Sequence, residues 1–387
     1  MSQLLETRAD AEQAAAVQRS VQGSVQGAVQ GAVQGSVKGS AKGSAKGLSP
    51  VSGVALAILV LACTLMAGVA IGETPIGVGV IFQTLANKLF AARYPLDPID
   101  EGIIWNYRLA RTFVAASCGA GLAVSGVVLQ SLLRNALADP YILGISAGAS
   151  TGAVAVTILG LGAGALSLSM GAFAGAITAF LIVIILARAA GGEVGSQATG
   201  QIVLAGIAGS QLFNALTSFI ITKSANAEQA RGIMFWLLGN LSGSRWPDVA
   251  LVVPVALAGV IIIIWHARAL DAFAFGADSA ASLGVPVRRV RVVLISVSAL
   301  LTAVMVSITG SIGFVGLVVP HAMRFLVGVR HGRLIPACAV AGAVFLIIAD
   351  ILSRRLIPGQ VLPIGVITAL VGAPVFGLIL VRGRRAR

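Results

Sequence analysis

The stretch Arg108–Ser150 reads RLARTFVAASCGAGLAVSGVVLQSLLRNALADPYILGISAGAS. Two arginines, Arg108 and Arg111, open it, and Thr112–Leu133 then runs for 22 residues without a charge. The short polar turn RNALADP follows, and an apolar run rich in Gly, Ala and Ser resumes at Tyr141. In a bilayer core about 30 Å thick, every backbone polar group needs an internal partner. Two membrane-length segments around a tight turn therefore predict a transmembrane helical hairpin.

The composition extends this prediction to the whole chain. Of 387 residues, 57% are hydrophobic and 11% are charged, whereas soluble domains carry about 25% charged residues. The net charge of +13 could suggest a nucleic-acid partner, but the basic residues lie in loops and tails, where the positive-inside rule places them. We therefore expect an all-α integral membrane protein whose partner is the lipid bilayer, with no nucleic acid.

The apolar runs predict about ten membrane spans. They are roughly Val51–Ile71, Thr112–Leu133, Ile142–Leu159, Leu166–Ala187, Ile202–Thr222, Val249–Trp265, Val292–Ile308, Ile312–Met323, Leu334–Ala349 and Ile364–Val381. The eighth span is too short to cross as a straight helix and contains Pro320, so we expect it to be broken. The glycines at 144, 148 and 152, and at 171 and 175, predict closely packed helices. The distribution of Lys and Arg favours cytoplasmic N- and C-termini.

The first 49 residues form a separate segment. From Val21 the sequence repeats VQGS, VQGA and related four-residue units up to Lys46. A glycine in every repeat disfavours a helix, and the repeat has too few large side chains to form a core. We predict a flexible Gly-rich cytoplasmic tail over residues 1–49 and a polytopic membrane domain over residues 50–387.

Motifs for chemistry within this chain are absent. The sequence has no G-x-x-x-x-G-K-[ST] phosphate-binding loop, and its three cysteines do not have metal-ligand spacing. No charged residue lies in the middle of a predicted span, although ion-coupled carriers normally place one there. We therefore expect no catalytic residue, no metal site and no bound cofactor. An ion-coupled secondary transporter and an intramembrane enzyme remain as less favoured alternatives.

Six ordered motifs resemble one transporter family. They are RLART with the following hairpin, VLAGIAGSQLFNALTS, FWLLGNLSG, GADSAASLGVPVRRVR, GFVGLVVPHAMRFLVG and LPIGVITALVGAPVFGLIL. Together they resemble the FecCD permeases, the membrane subunits of type II ABC importers for iron–siderophore complexes, haem and vitamin B12. The resemblance covers about 330 residues, and the chain departs from the usual proline at Ala110 and Ala136.

The resemblance implies partners and a location. A permease of this family forms a homodimer with ten spans per subunit, binds two ABC ATPase subunits that hold ATP and Mg, and receives cargo from a periplasmic solute-binding protein. This implies a multi-pass protein of the bacterial inner membrane that moves a metal chelate without chemical change. Haem or an iron–siderophore complex is the favoured cargo, and vitamin B12 (cobalamin) is the alternative.

The resemblance also implies three groups of site residues. Arg108, Arg111 and Arg354 would dock the binding protein through its carboxylates, although span ends commonly carry anchoring arginines. The loop of about residues 271–289 would couple to the ATPase, with contacts from Asp278, Ala280, Ala281, Ser282, Leu283 and Gly284; a loop packed on its own subunit is the alternative. The core of this loop, GADSAASLGVPV, predicts a short helix that Gly284 and then Pro286 end. Asn135, Leu137, Thr199 and Gly200 would form a cytoplasmic gate, unless the RNALADP turn is simply a capped connection.

Overall fold

The computed structural model describes residues 50–162, 164–191, 196–224 and 226–385. The chain divides into two units after Leu56, inside the first described helix. The predicted tail, residues 1–49, lies outside the described residues. In the described part, all regular structure is helical, and a single isolated β-bridge joins Ile357 to Gln360.

The described helices are numbered in chain order. They are α1 (Pro50–Ala70), α2 (Val78–Phe90), α3 (Pro98–Gly102), α4 (Ala110–Leu132), α5 (Ile145–Leu159), α6 (Leu168–Ala189), α7 (Ser196–Ser224), α8 (Ala227–Leu237), α9 (Trp246–Trp265), α10 (Ala267–Phe273), α11 (Ala277–Ser282), α12 (Val287–Thr309), α13 (Val315–Val327), α14 (His331–Arg355) and α15 (Ile364–Arg385). A π-helical turn, Ile103–Leu109, joins α3 to α4 without a break, and a 3-10 turn, Pro140–Leu143, precedes α5.

The helices account for the predicted spans. Among the described residues, seven helical segments are long and apolar enough to cross a membrane, and the shorter α5, α13 and α15 fall on the other three predicted spans. The prediction of an all-α membrane protein with about ten transmembrane helices is confirmed. The break expected at Pro320 does not occur, because α13 runs through Pro320 from Val315 to Val327. The eighth predicted span is instead shortened at its start, where Phe314 has a φ of 69° and the helix begins only at Val315. The additional short helix α2 was not predicted.

Two predicted spans are longer in the structure because helices continue through charged residues. The second predicted span began at Thr112, but α4 is continuous with the turn before it, and the helical segment runs from Pro98 to Leu132. The ninth was predicted to end at Ala349, yet α14 continues through Asp350 to Arg355. Both extensions bury charges that the hydropathy pattern assigned to loops.

The central helix is α4, which packs against α9, α12, α13 and α14. The apolar part of its helical segment is 83% buried. Gly119 of α4 faces Gly342 of α14, and a Cβ on either glycine would overlap the other's carbonyl group. Gly126 is likewise pressed against Gly316 of α13. Such contacts bring backbones close enough for dispersion forces to hold helices together where lipid supplies no hydrophobic drive.

The helices α5 and α6 meet through the glycines that the sequence indicated. A Cβ on Gly148 or Gly152 would overlap the carbonyl of Gly175 or Gly171, respectively. The prediction of close packing at these positions is confirmed, and the contact lies within one subunit.

Candidate functional site

Two ends of α14 carry most of the polar side chains that could serve transport. At 1.5 Å per residue, the 25 residues of α14 place His331 and Arg355 about 36 Å apart. We call these the His331 end and the Asp350 end.

The Asp350 end holds a buried arginine cluster, defined here as Arg111, Asp350 and Arg354. Oδ1 of Asp350 accepts from Nε of Arg111 at 2.7 Å and lies 2.7 Å from its Nη2, while Oδ2 lies 2.9 Å from Nη2 of Arg354. The Asp350 side chain is only 1% exposed. Because both arginines bond one carboxylate with short charge-assisted contacts, the cluster is internally satisfied.

The remaining donors at this end bond the backbone around α1. Nη1 of Arg108 donates to the carbonyls of Val69 and Ala70, each at 3.2 Å, and its Nη2 donates to the carbonyl of Thr74. Nη2 of Arg354 donates to the carbonyl of Gly68 at 3.1 Å. These bonds satisfy carbonyl groups at the end of α1 that the helix itself leaves free.

This geometry changes the interpretation of the predicted docking residues. Arg108, Arg111 and Arg354 are only 5%, 8% and 6% exposed, and their guanidinium groups are bonded within the subunit. Replacing Arg354 with an acidic residue would put a second carboxylate beside buried Asp350, so Arg354 has a structural role within the subunit. Arg355 and Arg93 are exposed instead.

The His331 end carries the predicted coupling segment, now seen as the short helix α11. It begins after Gly276, whose φ is 108°, and is followed by Gly284, whose φ is 81°. Leu283 is 71% exposed, and the preceding Phe275 is 76% exposed. The sequence prediction of a short helix ended by Gly284 and Pro286 is confirmed.

The predicted coupling residues differ in their accessibility. Asp278, Ala281, Ser282, Leu283 and Gly284 are exposed. Ala280, however, is 0% exposed, because it faces its own subunit. Ala280 was therefore wrongly chosen as a contact residue, and it anchors α11 instead.

The predicted gate residues lie in two separate places along the chain. Oδ1 of Asn135 accepts from the N–H of Leu137 at 2.9 Å, which makes RNALADP a capped turn, while the Leu137 side chain is 47% exposed. Thr199 and Gly200 lie in the first turns of α7. The capped-turn alternative therefore accounts for Asn135, and Leu137 remains available as an apolar gate residue.

The same turn ends at a buried acid. Asp139 accepts from the N–H of Tyr141 at 2.9 Å, capping the 3-10 turn. Burial raises the pKa of the Asp139 carboxyl to about 6, while the bond from Tyr141 acts in the opposite direction.

Sequence reasoning missed a polar chain that joins the coupling segment to α4. Oδ1 of Asp271 accepts from the backbone N–H of His331 at 2.9 Å and lies 2.7 Å from its Nδ1. Nε2 of His331 lies 2.6 Å from Oγ of Ser131. Ser131 lies four residues before Asn135 of the RNALADP turn, which we call the gate turn. We call Asp271, His331 and Ser131 the polar chain. These residues are 60 and 200 positions apart, so no local pattern could reveal it.

A second bridge supports the same end of α4. Gln130 donates from Nε2 to the carbonyl of Gly316 at 3.1 Å and accepts from Nη1 of Arg324 at 2.6 Å. Gln130 is 3% exposed. The end of α4 is thus tied to α13 through Gln130 and to α14 through Ser131.

Sequence reasoning also missed a cavity of about 500 Å³ between α5 and α7, called here the polar cavity. Its polar wall is formed by hydroxyl and amide side chains, chiefly Ser146, Ser150, Ser210, Asn214, Thr217 and Ser218. A second cavity, of about 660 Å³, is lined mainly by apolar side chains of α5 and α6. Among the described residues, no three His, Cys, Asp or Glu side chains converge as they would at a metal site.

Comparisons with known proteins agree on one group. The sequence profile described as the FecCD transport family matches residues 55–382. The chain is 38% identical over 329 residues to an uncharacterized ABC transporter permease protein, YvrB, of Bacillus subtilis, covering 84% of this chain and 92% of that protein. It is 38% identical over 328 residues to the cobalamin import system permease protein BtuC of Halobacterium salinarum, covering 81% and 86% of the two chains.

Two further proteins extend this comparison. The vitamin B12 import system permease protein BtuC of Escherichia coli is 37% identical over 292 residues, covering 74% of this chain and 86% of that protein. A solved structure of a metal-chelate type ABC transporter in an inward-facing conformation superposes with a TM-score of 0.72 at 30% identity, covering 84% of this chain and 97% of that one.

Proposed function

The chain belongs to the FecCD transport family and is the permease subunit of an ABC importer; on that premise we propose that it carries a metal chelate across the bacterial inner membrane, from a periplasmic binding protein to the cytoplasm. Its fold is the type II importer permease architecture, and the chain is a transport subunit. Two copies would enclose the path, and two ABC ATPase subunits would hold the ATP and Mg.

One observation carries the proposal: the family profile runs without a break from residue 55 to residue 382. That range includes every described helix from α2 to α14, and with them the His331 end and the Asp350 end of α14. The names of two relatives support the vitamin B12 alternative for the cargo, and the metal-chelate type structure supports the broader class. Haem and iron–siderophore complexes remain members of that class.

The exposed face around α11 supports an ATPase partner. Leu283 and Phe275 are more than two-thirds exposed, as are Phe325, Leu326 and Val329 near the end of α13. Large apolar side chains grouped at a polar loop region are typical of a protein interface. Leu283 would enter a groove of the ATPase, and Gly284 would allow close approach beside it. An ion-coupled carrier has no ATPase to bind, so this surface would have no function in such a protein.

The polar chain supports transmission from that interface. Asp271 lies in α10, directly before α11, and its carboxylate reaches α4 through His331 and Ser131. A movement of α11 would therefore displace the end of α4 that bears the gate turn. Leu137 would close or open the path there by excluding water.

The Asp350 end would face the periplasm, which leaves both termini in the cytoplasm. The exposed Arg355 and Arg93 would receive carboxylates of the binding protein, because guanidinium groups form charge-assisted bonds to carboxylates. Arg108, Arg111 and Arg354 would stabilise the helix ends beneath this docking surface.

Reconstitution tests the proposal. The permease is placed in liposomes with its cognate ATPase, and the binding protein loaded with cyanocobalamin, haemin or ferrichrome is added outside. We expect uptake of one chelate that requires internal ATP and Mg and stops when the ATPase carries an inactivating substitution. Uptake by the permease alone, driven by a proton or sodium gradient, would instead identify an ion-coupled secondary transporter.

A further inference from the structure

The polar cavity has a regular origin in two facing helices. Ser210, Asn214 and Ser218 are spaced by four residues on α7, which places them along one face. Ser146 and Ser150 have the same spacing on α5 across the cavity. The cavity therefore has a polar wall on each side, within a helix pair that is otherwise apolar.

Some of these side chains already have partners. Oγ of Ser146 donates to Oγ of Ser311 at 2.9 Å, and Oγ of Ser150 donates to the carbonyl of Ser146 at 2.9 Å. Oγ1 of Thr217 lies 2.8 Å from Oγ1 of Thr151. The hydroxyl of Tyr141 donates to the carbonyl of Ile312 and accepts from its N–H, each at 2.9 Å. These groups fix the shape of the cavity.

The α7 wall is different. Within the described part of the chain, the side chains of Ser210, Asn214 and Ser218 make no hydrogen bond. The amide of Asn214 alone offers two donated bonds and an acceptor oxygen. Ser210 is partly buried, whereas Asn214 and Ser218 are exposed, so their polar groups face the open side of the cavity. An unpaired polar group facing lipid would cost free energy, so this polar stripe favours a water-filled path on that side of α7. The α7 wall therefore presents hydrogen-bonding groups to whatever fills the cavity.

The chemistry of the wall limits what it can bind well. Its lining residues are hydroxyl, amide and apolar, and none is charged. A ligand carboxylate placed here would lose its hydration without gaining an arginine or lysine partner, which is costly. A ligand rimmed with uncharged amides or hydroxyls would exchange water for Asn and Ser partners at little cost.

We propose that the polar cavity is a cargo-contacting site that selects uncharged, amide-rimmed metal chelates over chelates with free carboxylates. This inference rests on the proposed function and narrows the substrate class of the same path. Asn214 is the main specificity-determining residue, because its amide can both donate to and accept from a carboxamide of the cargo.

The test uses the complete transporter in liposomes and four probes, each delivered by a binding protein that captures it. Cyanocobalamin and ferrichrome have amide-bearing, uncharged rims, whereas haemin and ferric citrate carry free carboxylates. We expect uptake of an uncharged probe and at least a fivefold lower initial rate in the Asn214→Leu variant. Gln211→Leu, an exposed change on α7 outside the cavity lining, is the matched control and should transport normally.

The outcomes separate the two proposals. Uptake of haemin or ferric citrate at a rate equal to or above that of the uncharged probes overturns this inference and leaves the importer function intact. Unchanged transport of the uncharged probe by Asn214→Leu, with the variant monodisperse in detergent, also overturns it. Failure of all four probes overturns both proposals. A gain of haemin uptake in Asn214→Lys would further support selection by charge at this wall.

Discussion

At the Asp350 end of α14, one carboxylate is enclosed by two arginines, and all three residues are less than a tenth exposed. At the His331 end, the partly exposed carboxylate of Asp271 on α10 is connected through His331 to a hydroxyl on α4. The first arrangement is buried, and its remaining donors bond the hydroxyl of Ser242 and the carbonyl of Gly68 within the subunit. The second begins beside an exposed segment and ends beside the gate turn. Buried charge therefore holds one end of the helix in place, while at the other end polar contacts join the exposed α11 segment to α4.

The largest expected effect comes from removing the carboxylate of the closed cluster. Asp350→Ala leaves the buried Arg111 and Arg354 without the carboxylate that balances their charges, so we expect a loss of about 3–5 kcal/mol in unfolding free energy. Thermal unfolding in detergent measures it. Arg355→Ala, an exposed neighbour with one long bond of 3.4 Å to the Gly72 carbonyl, is the control and should change stability little. Equal melting temperatures for the two variants would show that the cluster does not hold the fold.

The next effect concerns the exposed segment at the other end. Leu283→Asp places a charge where an apolar side chain would be buried against the ATPase, and a central contact of this kind contributes about 2 kcal/mol, or roughly 30-fold in affinity. Stability of the isolated permease should not change, because Leu283 is 71% exposed. Affinity for the ATPase is measured in detergent or nanodiscs.

The matched control at this position is Leu283→Met, which keeps an apolar side chain of similar volume and should bind normally. If Leu283→Asp binds the ATPase as tightly as the unaltered chain, α11 is not the coupling contact. The His331 end of α14 would then have no role in coupling to the ATPase.

The smallest effect on stability is expected for Ser131→Ala. This variant tests whether the polar chain transmits movement from α11 to α4 or only stabilises the fold. Ser131→Ala removes one member of the polar chain, and we expect a loss of about 1 kcal/mol. We expect a larger change in coupling, measured as several more ATP molecules hydrolysed per chelate transported. Ser125→Ala is the control: Ser125 is a serine of the same helix, fully buried, whose hydroxyl makes one hydrogen bond, and it lies outside the polar chain. Identical coupling ratios in the two variants would assign Ser131 a purely structural role.

The sequence predicted what depends on local pattern. Hydropathy located the membrane helices, Gly284 and Pro286 predicted the end of α11, and the glycine spacing predicted the contact of α5 with α6. Exposure within a short helix could not be predicted in the same way: Ala280 and Ala281 are adjacent and similar, yet the turn of α11 buries only the first.

Long-range pairing was beyond local pattern altogether. Arg111 and Asp350 are 239 positions apart, so hydropathy placed each at a span end and gave no sign that they neutralise each other. The same holds for the polar cavity, whose walls come from helices that each look unremarkable alone. A serine every four residues has meaning only once a facing helix is in place.

The bare side chains of Phe275, Leu283, Phe325, Leu326 and Val329 have a consequence for making this protein. A permease subunit synthesised without its ATPase exposes this apolar patch to water. Exposed apolar patches promote aggregation and degradation by quality-control proteases. Co-expression with the ATPase should therefore raise the yield of intact permease, because assembly covers the patch as soon as it forms.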